Sequence, residues 1–289
     1  MTGSILNAFG VFDSNSHVAK NGVLSLQNWN SGEEKTVKLN GEWDFYPNEL
    51  ITPDPSKDQF RPFSSIRKSI PVPKAWDHYL AKKPTPFGSG TYRLRIKVPK
   101  DGRYGIKVNT VRNASKVFIN GIEAGAAGVP SKSSQKYQYD FRKYVAFGNS
   151  KDKIVEIVVQ VANKEYARGG IVQPIDFGKP DQILAKQGLA RLIEAFLIAG
   201  YLLYSLTYVT VHIQIKHHLY ELFFSLFCLA QAVYISTVNE RWLFILFPKV
   251  HPTEQFDIQM TAMGLMLIFF ILFLCTFFHK NASTFVIFI

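Results

Sequence analysis

Six residues within the first 170 positions combine aromatic rings with planar polar groups, the two kinds of side chain that recognise sugars. They are Trp76, Tyr79, Arg112, Asn113, Tyr166 and Arg168. An aromatic ring can pack against the apolar face of a sugar, while guanidinium and amide groups hydrogen-bond its hydroxyls. All six lie in or beside predicted loops, where a rigid scaffold carries binding residues. The alternative for Trp76 and Tyr79 is packing beneath the Pro-rich stretch around them.

Other patterns that could do chemistry are incomplete. No nucleophile, base and orienting group occur together, so we expect no catalytic activity from this chain and no cofactor. His218 and Glu221 are three residues apart, but a metal ion needs more ligands than these two. Arg191 and Glu194 have the same spacing at the start of an apolar stretch, and we expect an interfacial pair there. The Gly-rich segment 121–128 lacks the Lys-Ser/Thr of a phosphate-binding loop.

The positive charge of the chain belongs to its N-terminal part. The 289 residues carry 33 Lys and Arg against 22 Asp and Glu, a formal charge of +11. After residue 188 the acidic and basic residues cancel, so the whole excess precedes it. A solvated Lys-rich surface explains this, and attraction to anionic cell-wall or lipid groups is the alternative. No Arg-rich helix or nucleic-acid motif accompanies the charge, so nucleic acid is not an expected partner.

The first 185 residues show the pattern of an antiparallel β-sandwich, with short alternating runs separated by turn signals. The predicted strands are Lys35–Leu39, Glu42–Tyr46, Thr91–Val98, Tyr104–Val108, Lys116–Ile119 and Ile154–Val161. In the third run, Tyr92, Leu94, Ile96 and Val98 should face a core, and Arg93, Arg95 and Lys97 should face water.

Turns and connections complete this prediction. Asn120-Gly121 and Asn40-Gly41 both predict tight hairpin turns. Residues 51–86 form a long Pro-rich connection in this interpretation. The sandwich is expected to occupy residues 23–185, after a flexible lead-in over residues 1–22.

The remaining residues, 186–289, have the composition of a membrane region. Apolar stretches at about 189–213, 219–238 and 258–278 are each long enough to cross a bilayer. The short segment between the first two spans is basic, as is the tail after the third, which places both in the cytoplasm. We therefore expect a multi-pass protein of the cell membrane with an extracellular N-terminal domain. The final STFVIFI is apolar again, so we expect further spans beyond it; the sequence is also compatible with a homodimer.

Six segments together resemble the galactose-binding-like jelly roll that opens family 2 glycoside hydrolases. In order they are LNGEWDFYP (39–47), VPKAW (72–76), GSGTYRLRIKVP (88–99), NASKVFINGIEAGAAG (113–128), YQYDFRKYV (137–145) and KIVEIVVQVANKEYARGGI (153–171). The resemblance implies an all-β jelly-roll sandwich. It ends near residue 180, and the catalytic barrel of those hydrolases does not follow.

A jelly roll followed directly by membrane helices resembles the bacterial seven-transmembrane receptors with diverse intracellular signalling modules. This resemblance implies a sensory domain that binds an extracellular carbohydrate-like or cell-envelope ligand. It also implies signalling through the helices to an output module absent from these residues, such as a histidine kinase of a two-component system or a diguanylate cyclase. The alternative is a membrane-anchored protein-interaction scaffold without a small-molecule ligand.

Overall fold

A computed structural model describes residues 17–30, 32, 36–54, 56, 64, 66–140, 142–214, 218–247, 250 and 252–285. The chain divides into two compact units after Lys186. The strands are β1 Val23–Ser25, β2 Val37–Lys38, β3 Gly41–Pro47, β4 Lys68–Val72, β5 Gly88–Lys97, β6 Arg103–Val108, β7 Val111–Arg112, β8 Ala114–Ile119, β9 Ile122–Ala127, β10 Tyr144–Asn149, β11 Ile154–Asn163, β12 Gly170–Ile171 and β13 Asp176–Gly178. The helices are α1 Asp77–Leu80, α2 Pro180–Gln214, α3 Leu219–Thr237, α4 Trp242–Leu246 and α5 Pro252–Phe285.

The first unit is a β-sandwich. Its larger sheet has the strand order β4-β3-β5-β11-β8-β9, and β1 pairs in parallel with the second half of β5. The smaller sheet has the order β10-β6-β13-β2, and a short β12-β7 pair lies beside them. The predicted fold class, a β-sandwich followed by apolar helices that are candidate membrane spans, is confirmed.

The core consists of the inward-facing residues of the two sheets, as the alternation of the strands requires. Trp43, Phe45 and Tyr92 have no exposed surface, and for Tyr92 this agrees with the prediction from the alternation of its strand. On the opposing sheet the rings of Tyr104 and Phe177 are stacked with centroids 5.3 Å apart. Aromatic pairs of this kind stabilise a core beyond the area that they bury.

The outer face of β5 is buried at Arg93 and Arg95, where the sequence prediction is wrong, and exposed at Lys97, as predicted. Arg93 is 1% exposed, and its Nε donates to Glu156 Oε1 at 2.6 Å. Arg95 donates from Nη2 to Asp44 Oδ2 at 2.9 Å and from Nε to the carbonyl of Gly22. Alternation separates the two faces of a strand correctly, but it cannot indicate that chain segments cover the outer face. Burial of a charge then requires a paired partner, which both arginines have.

The two Asn-Gly sequences behave differently. Asn120 and Gly121 have φ values of 47° and 82° and join β8 to β9 in the predicted hairpin. Asn40-Gly41 does not form a hairpin, because β2 belongs to the smaller sheet and β3 to the larger one. This pair therefore takes the chain from one sheet to the other.

Two predicted irregular segments contain packed structure. Residues 1–16 of the expected lead-in lie outside the described residues, but Ala19 is fully buried and its N–H donates to the carbonyl of Asn40. The sandwich therefore includes residues before position 23. The Pro-rich connection contains both β4 and α1. Pro71 is tolerated in β4 because this strand lies at the edge of its sheet.

The helix α2 begins nine residues before the predicted first span. Its first residues belong to the sandwich unit, where Ile183 is fully buried and Lys186 Nζ donates to Asp176 Oδ1 at 2.9 Å. The helix then continues without interruption to Gln214. Residues 180–186 therefore have a structural role in the sandwich that hydropathy alone does not reveal.

The second unit contains the predicted spans. Among the residues that the structure describes, three helices are long and apolar enough to cross a membrane, with mean hydropathy values of 1.6, 1.5 and 2.5 in their most apolar parts. Ser205 of α2 and Ser225 of α3 are hydrogen-bonded at 3.1 Å. The α3 and α5 helices run antiparallel, as the ring pairs Tyr220–Phe277 and Phe227–Phe270 show. Small polar contacts and close ring packing are typical of helices that associate in lipid.

The predicted pair of Arg191 and Glu194 differs from expectation. Arg191 does not pair with Glu194: its Nε lies 3.6 Å from Glu240 Oε2, and Glu194 accepts a hydrogen bond from the backbone N–H of Glu240. Both side chains thus contact the segment that follows α3. The side chain of Glu221 is buried, and its backbone N–H donates to the carbonyl of His218.

Candidate functional site

Strand register brings Arg112, Asn113, Tyr166 and Arg168 to one end of the larger sheet, and hydrogen bonds hold Trp76 and Tyr79 at the same end. Pro47 is opposite Gly90, Asn163 is opposite Gly88, and Ala162 is opposite Ala114. The loops that leave these strand ends, together with α1, form one rim of the sandwich. This end of the molecule is called the candidate rim below.

Trp76 lies inside the candidate rim and not on its surface. It has no exposed area, its Nε1 donates to the carbonyl of Pro86 at 2.9 Å, and its ring is stacked on Tyr92. It cannot offer a ring face to a ligand, so the packing alternative describes its position. Tyr79 is half-buried against the same core, and its backbone carbonyl accepts a hydrogen bond from Lys68 Nζ at 2.8 Å.

Asn163, which sequence reasoning overlooked, fixes the loop after β11. It is fully buried; its Nδ2 donates to the carbonyls of Pro86 and Tyr166, both at 2.8 Å, and its Oδ1 accepts from the N–H of Tyr166. A Cβ on Gly169 would lie 2.2 Å from Trp76 Nε1, so only glycine allows this close approach. In the sequence, the only indications of this packed loop are the Asn at the end of β11 and the Gly169-Gly170 pair.

Arg112, the last residue of β7, and Tyr166 of this loop form a stacked pair. The Arg112 guanidinium lies 4.0 Å from the centre of the Tyr166 ring. Stacking on an aromatic face leaves the edge donors of a guanidinium in position to bind a planar or hydroxylated ligand. Arg168 follows two residues later and is exposed. Three of the six predicted residues are thus brought together at the surface.

A second loop is tied to the first beside this pair. Lys164 Nζ donates to the carbonyl of Lys132 at 2.7 Å, and the backbone N–H of Asp140 donates to the carbonyl of Asn113. Asn113 itself is 2% exposed, so its amide is not open to a ligand at the surface. Burial raises the pKa of Tyr137, next to Lys164, to about 12.

Phe87 is the aromatic residue that the candidate rim does expose. Its side chain is 51% exposed, and it stands between Pro86, which accepts from Trp76 and Asn163, and the first residue of β5. Its own backbone N–H donates to Thr85 Oγ1 at 3.1 Å. Its ring face is therefore open to solvent and can stack on a ligand. Sequence reasoning chose Trp76 because it could not tell which aromatic is buried.

A cavity of about 460 Å³ opens on the same rim. Its walls come from the end of β3, the start of β4 and the end of α1. The lining residues are Pro47, Asn48, Glu49, Ile66, Lys68, Leu80, Ala81 and Lys82. Its volume lies within the range of small-molecule sites.

A chain of hydrogen bonds joins the candidate rim to the start of α2. Asn109, three residues before Arg112, donates from Nδ2 to Asp176 Oδ2 at 3.3 Å and to the carbonyl of Pro174. Asp176 is 4% exposed, and its other oxygen accepts from Lys186 of α2. The segment just before β7, which carries Arg112, is therefore linked through Asp176 to the start of the helix.

The rim offers hydrogen-bond donors and an exposed aromatic ring. Among the residues that the structure describes, no three His, Cys, Asp or Glu side chains are grouped to hold a metal ion. The titratable groups with shifted pKa values at this end are the tyrosines Tyr92, Tyr137 and Tyr144, and burial raises each pKa. Planar donors, an exposed ring and ammonium groups are suited to binding a hydroxylated ligand.

No protein-family model matches the chain, and no curated protein matches it in sequence. Solved structures overlap with it in part. A family 2 β-galacturonidase from Eisenbergiella tayi bound to galacturonate aligns over 50% of this chain and 24% of its own, with 14% identity and a TM-score of 0.35. A β-glucuronidase from an uncultured Clostridium sp. aligns over 49% and 28%, with 17% identity and a TM-score of 0.35.

A β-glucuronidase from Ruminococcus gnavus in complex with D-glucuronic acid aligns over 49% of this chain and 29% of its own, with 13% identity and a TM-score of 0.34. This chain thus spans about a quarter of the length of the enzymes that it overlaps. The assignment as a β-sandwich rests on the strand pairing described above.

Proposed function

We propose that the chain is the sensory part of a bacterial membrane signalling receptor. The candidate rim binds a carbohydrate-like or cell-envelope ligand outside the cell without turning it over. The apolar helices carry the response to a cytoplasmic output module, such as a histidine kinase or diguanylate cyclase.

One observation carries this proposal: the connection from Arg112 through the loop residue Asn109, just before β7, and on through the hydrogen bonds of Asp176 to Lys186 of α2. A ligand can shift an equilibrium only by its different affinity for the two states. Contacts to Arg112 that depend on the position of this loop would provide that difference. Because α2 is one continuous helix, a change at Lys186 acts on the helix that becomes the first span.

The surface chemistry of the rim supports a sugar as the ligand. Phe87 offers a ring, Arg112 and Arg168 offer planar donors, and the sandwich holds their loops through buried hydrogen bonds. Preorganised loops of this kind lose little conformational entropy on binding.

The proposal can be tested on the full chain in phosphatidylcholine nanodiscs. The thermal unfolding of the sandwich is followed with glucose, galactose, N-acetylglucosamine, glucuronate and galacturonate and with the corresponding disaccharides. At least one of them should raise Tm, because a ligand at 100 times its Kd stabilises the folded state by about 2.7 kcal/mol.

Arginine variants make this test specific. Arg112→Ala should abolish the increase in Tm. The matched control is Arg103→Ala, since Arg103 lies 5.5 Å from the ring of Phe147 near the opposite ends of the strands. If no sugar in the panel raises Tm, or if both variants respond like the wild type, the rim is not a sugar site. A partner protein captured by this surface would then favour the scaffold alternative.

A further inference from the structure

The cavity of the candidate rim has two kinds of wall. Ile66, which is 57% exposed, and Leu80 provide an apolar side. Asn48 and Glu49 provide hydrogen-bonding groups, and the Glu49 carboxylate accepts from Ser64 Oγ at 3.0 Å. A pyranose ring has the same division, with an apolar face of C–H groups and an edge of hydroxyls. The lining therefore suits one sugar ring.

The charge of the cavity is positive. Lys68 Nζ uses one of its three N–H groups on the carbonyl of Tyr79, which fixes the ammonium and leaves two donors. Lys82 is exposed and forms no ion pair with any residue in the described part of the chain. Glu49 is the one carboxylate in the lining, so one positive charge remains in excess.

An ammonium without a carboxylate partner beside an apolar wall favours an anionic ligand. Hydrogen bonds between charged partners are roughly twice as strong as those between neutral ones. A phosphate or acetate ion would leave the apolar wall and Asn48 unused.

We propose that this cavity binds a sugar acid, with its ring against Ile66 and Leu80 and its carboxylate on Lys82 and Lys68. The Glu49 carboxylate accepts a hydrogen bond from a ring hydroxyl. The inference rests on the proposed sugar-sensing function of the rim, and it adds the charge of the ligand and its place. It also gives part of the basic excess of the sandwich a role in recognition.

The test compares D-glucuronate with D-glucose, which differ at C6 by a carboxylate in place of a hydroxymethyl group. Binding to the full chain in phosphatidylcholine nanodiscs is measured by saturation-transfer NMR and calorimetry. Glucuronate should bind at least ten-fold more tightly than glucose. Lys82→Gln should weaken glucuronate binding about ten-fold, because a hydrogen bond to a charged group is worth at least that factor. Lys83→Gln, at the neighbouring exposed lysine outside the cavity lining, should change it less than two-fold.

Each contrary result has a distinct meaning. Equal binding of glucose and glucuronate would refute the sugar acid while leaving the sugar-sensing function intact. Competition by acetate as strong as that by glucuronate would reduce the site to a simple anion site and overturn the proposal. Equal losses in Lys82→Gln and Lys83→Gln would show general charge attraction and overturn it as well. If Arg112→Ala abolishes sugar binding and Lys82→Gln does not, the ligand lies at Arg112 and not in this cavity.

Discussion

Gly169→Ala tests whether the loop after β11 is packed onto Trp76 as described. The new Cβ would lie 2.2 Å from Trp76 Nε1 and 2.5 Å from the carbonyl oxygen of Pro86, the two partners of a buried hydrogen bond. To relieve this clash, the Trp76 indole N–H and the Pro86 carbonyl must move apart, which breaks their hydrogen bond. An extra carbon in a packed site costs about 1–3 kcal/mol, and a buried donor left without its acceptor costs about another 1–3 kcal/mol.

The expected loss is therefore about 2–6 kcal/mol of the free energy of unfolding. For a domain of this size, 1 kcal/mol lowers Tm by about 2–4 °C, so Tm should fall by at least about 4 °C. The assay is thermal unfolding of the full chain, followed by near-UV circular dichroism. Gly102→Ala is the control, because its Cβ would meet no atom within 4 Å. If the two variants unfold within 1 °C of each other, the loop does not pack on Trp76, and Tyr166 and Arg168 lose their assigned positions.

Three further perturbations probe other parts of the structure. Asp44→Ala removes the carboxylate that pairs with the buried Arg95 and should lower the free energy of unfolding, measured by chemical denaturation, by about 3–5 kcal/mol. Glu123→Ala, at an exposed pair with Lys116, should lower it by less than about 1 kcal/mol. Equal losses would contradict the buried ion pair. Burial raises the pKa of Tyr137 to about 12. The stability that its protonated form contributes is therefore complete below the unfolded pKa of about 10 and is lost as the pH rises to 12. Between about pH 9.5 and 12, Tm should fall less steeply for Tyr137→Phe than for the wild type, and parallel curves would contradict the burial. Asn163→Ala removes three hydrogen bonds of the loop and should lower both Tm and the increase in Tm that a sugar causes. Asn149→Ala, at an exposed strand end, should leave both unchanged. A full increase with sugar in Asn163→Ala would show that the loop does not depend on these hydrogen bonds.

The sequence predicts the framework of the molecule well, because that framework follows from periodicity. Alternation placed Tyr92 and Leu94 in the core, Asn120-Gly121 required a hairpin, and the length of the apolar stretches identified the candidate spans. The edge strand β4 was missed because Pro71 weakens its strand signal. The extension of α2 back to Pro180 was missed because a helix need not be apolar where it lies on a sandwich.

The candidate site was predictable only in part. Composition and loop position identified Arg112, Tyr166 and Arg168, which the fold does bring to one surface. Trp76 and Asn113 were chosen on the same grounds and are buried, since residue type alone does not determine on which side of a loop the core lies. Phe87 and the cavity lined by Lys68 and Lys82 depend on contacts between distant segments. Such contacts leave no local pattern in a single sequence.

Hydrogen exchange of the full chain in nanodiscs tests the central claim most directly. Exchange is measured with and without the tightest-binding sugar of the panel, for the wild type and for Asp176→Asn. In the wild type, the sugar should slow exchange both in the loop 163–169 and in residues 180–186 at the start of α2. In Asp176→Asn the loop should still be protected, and the start of α2 should no longer respond, because the variant replaces the charge that holds Lys186. A sugar that protects the loop of the wild type while the start of α2 exchanges unchanged would contradict the account.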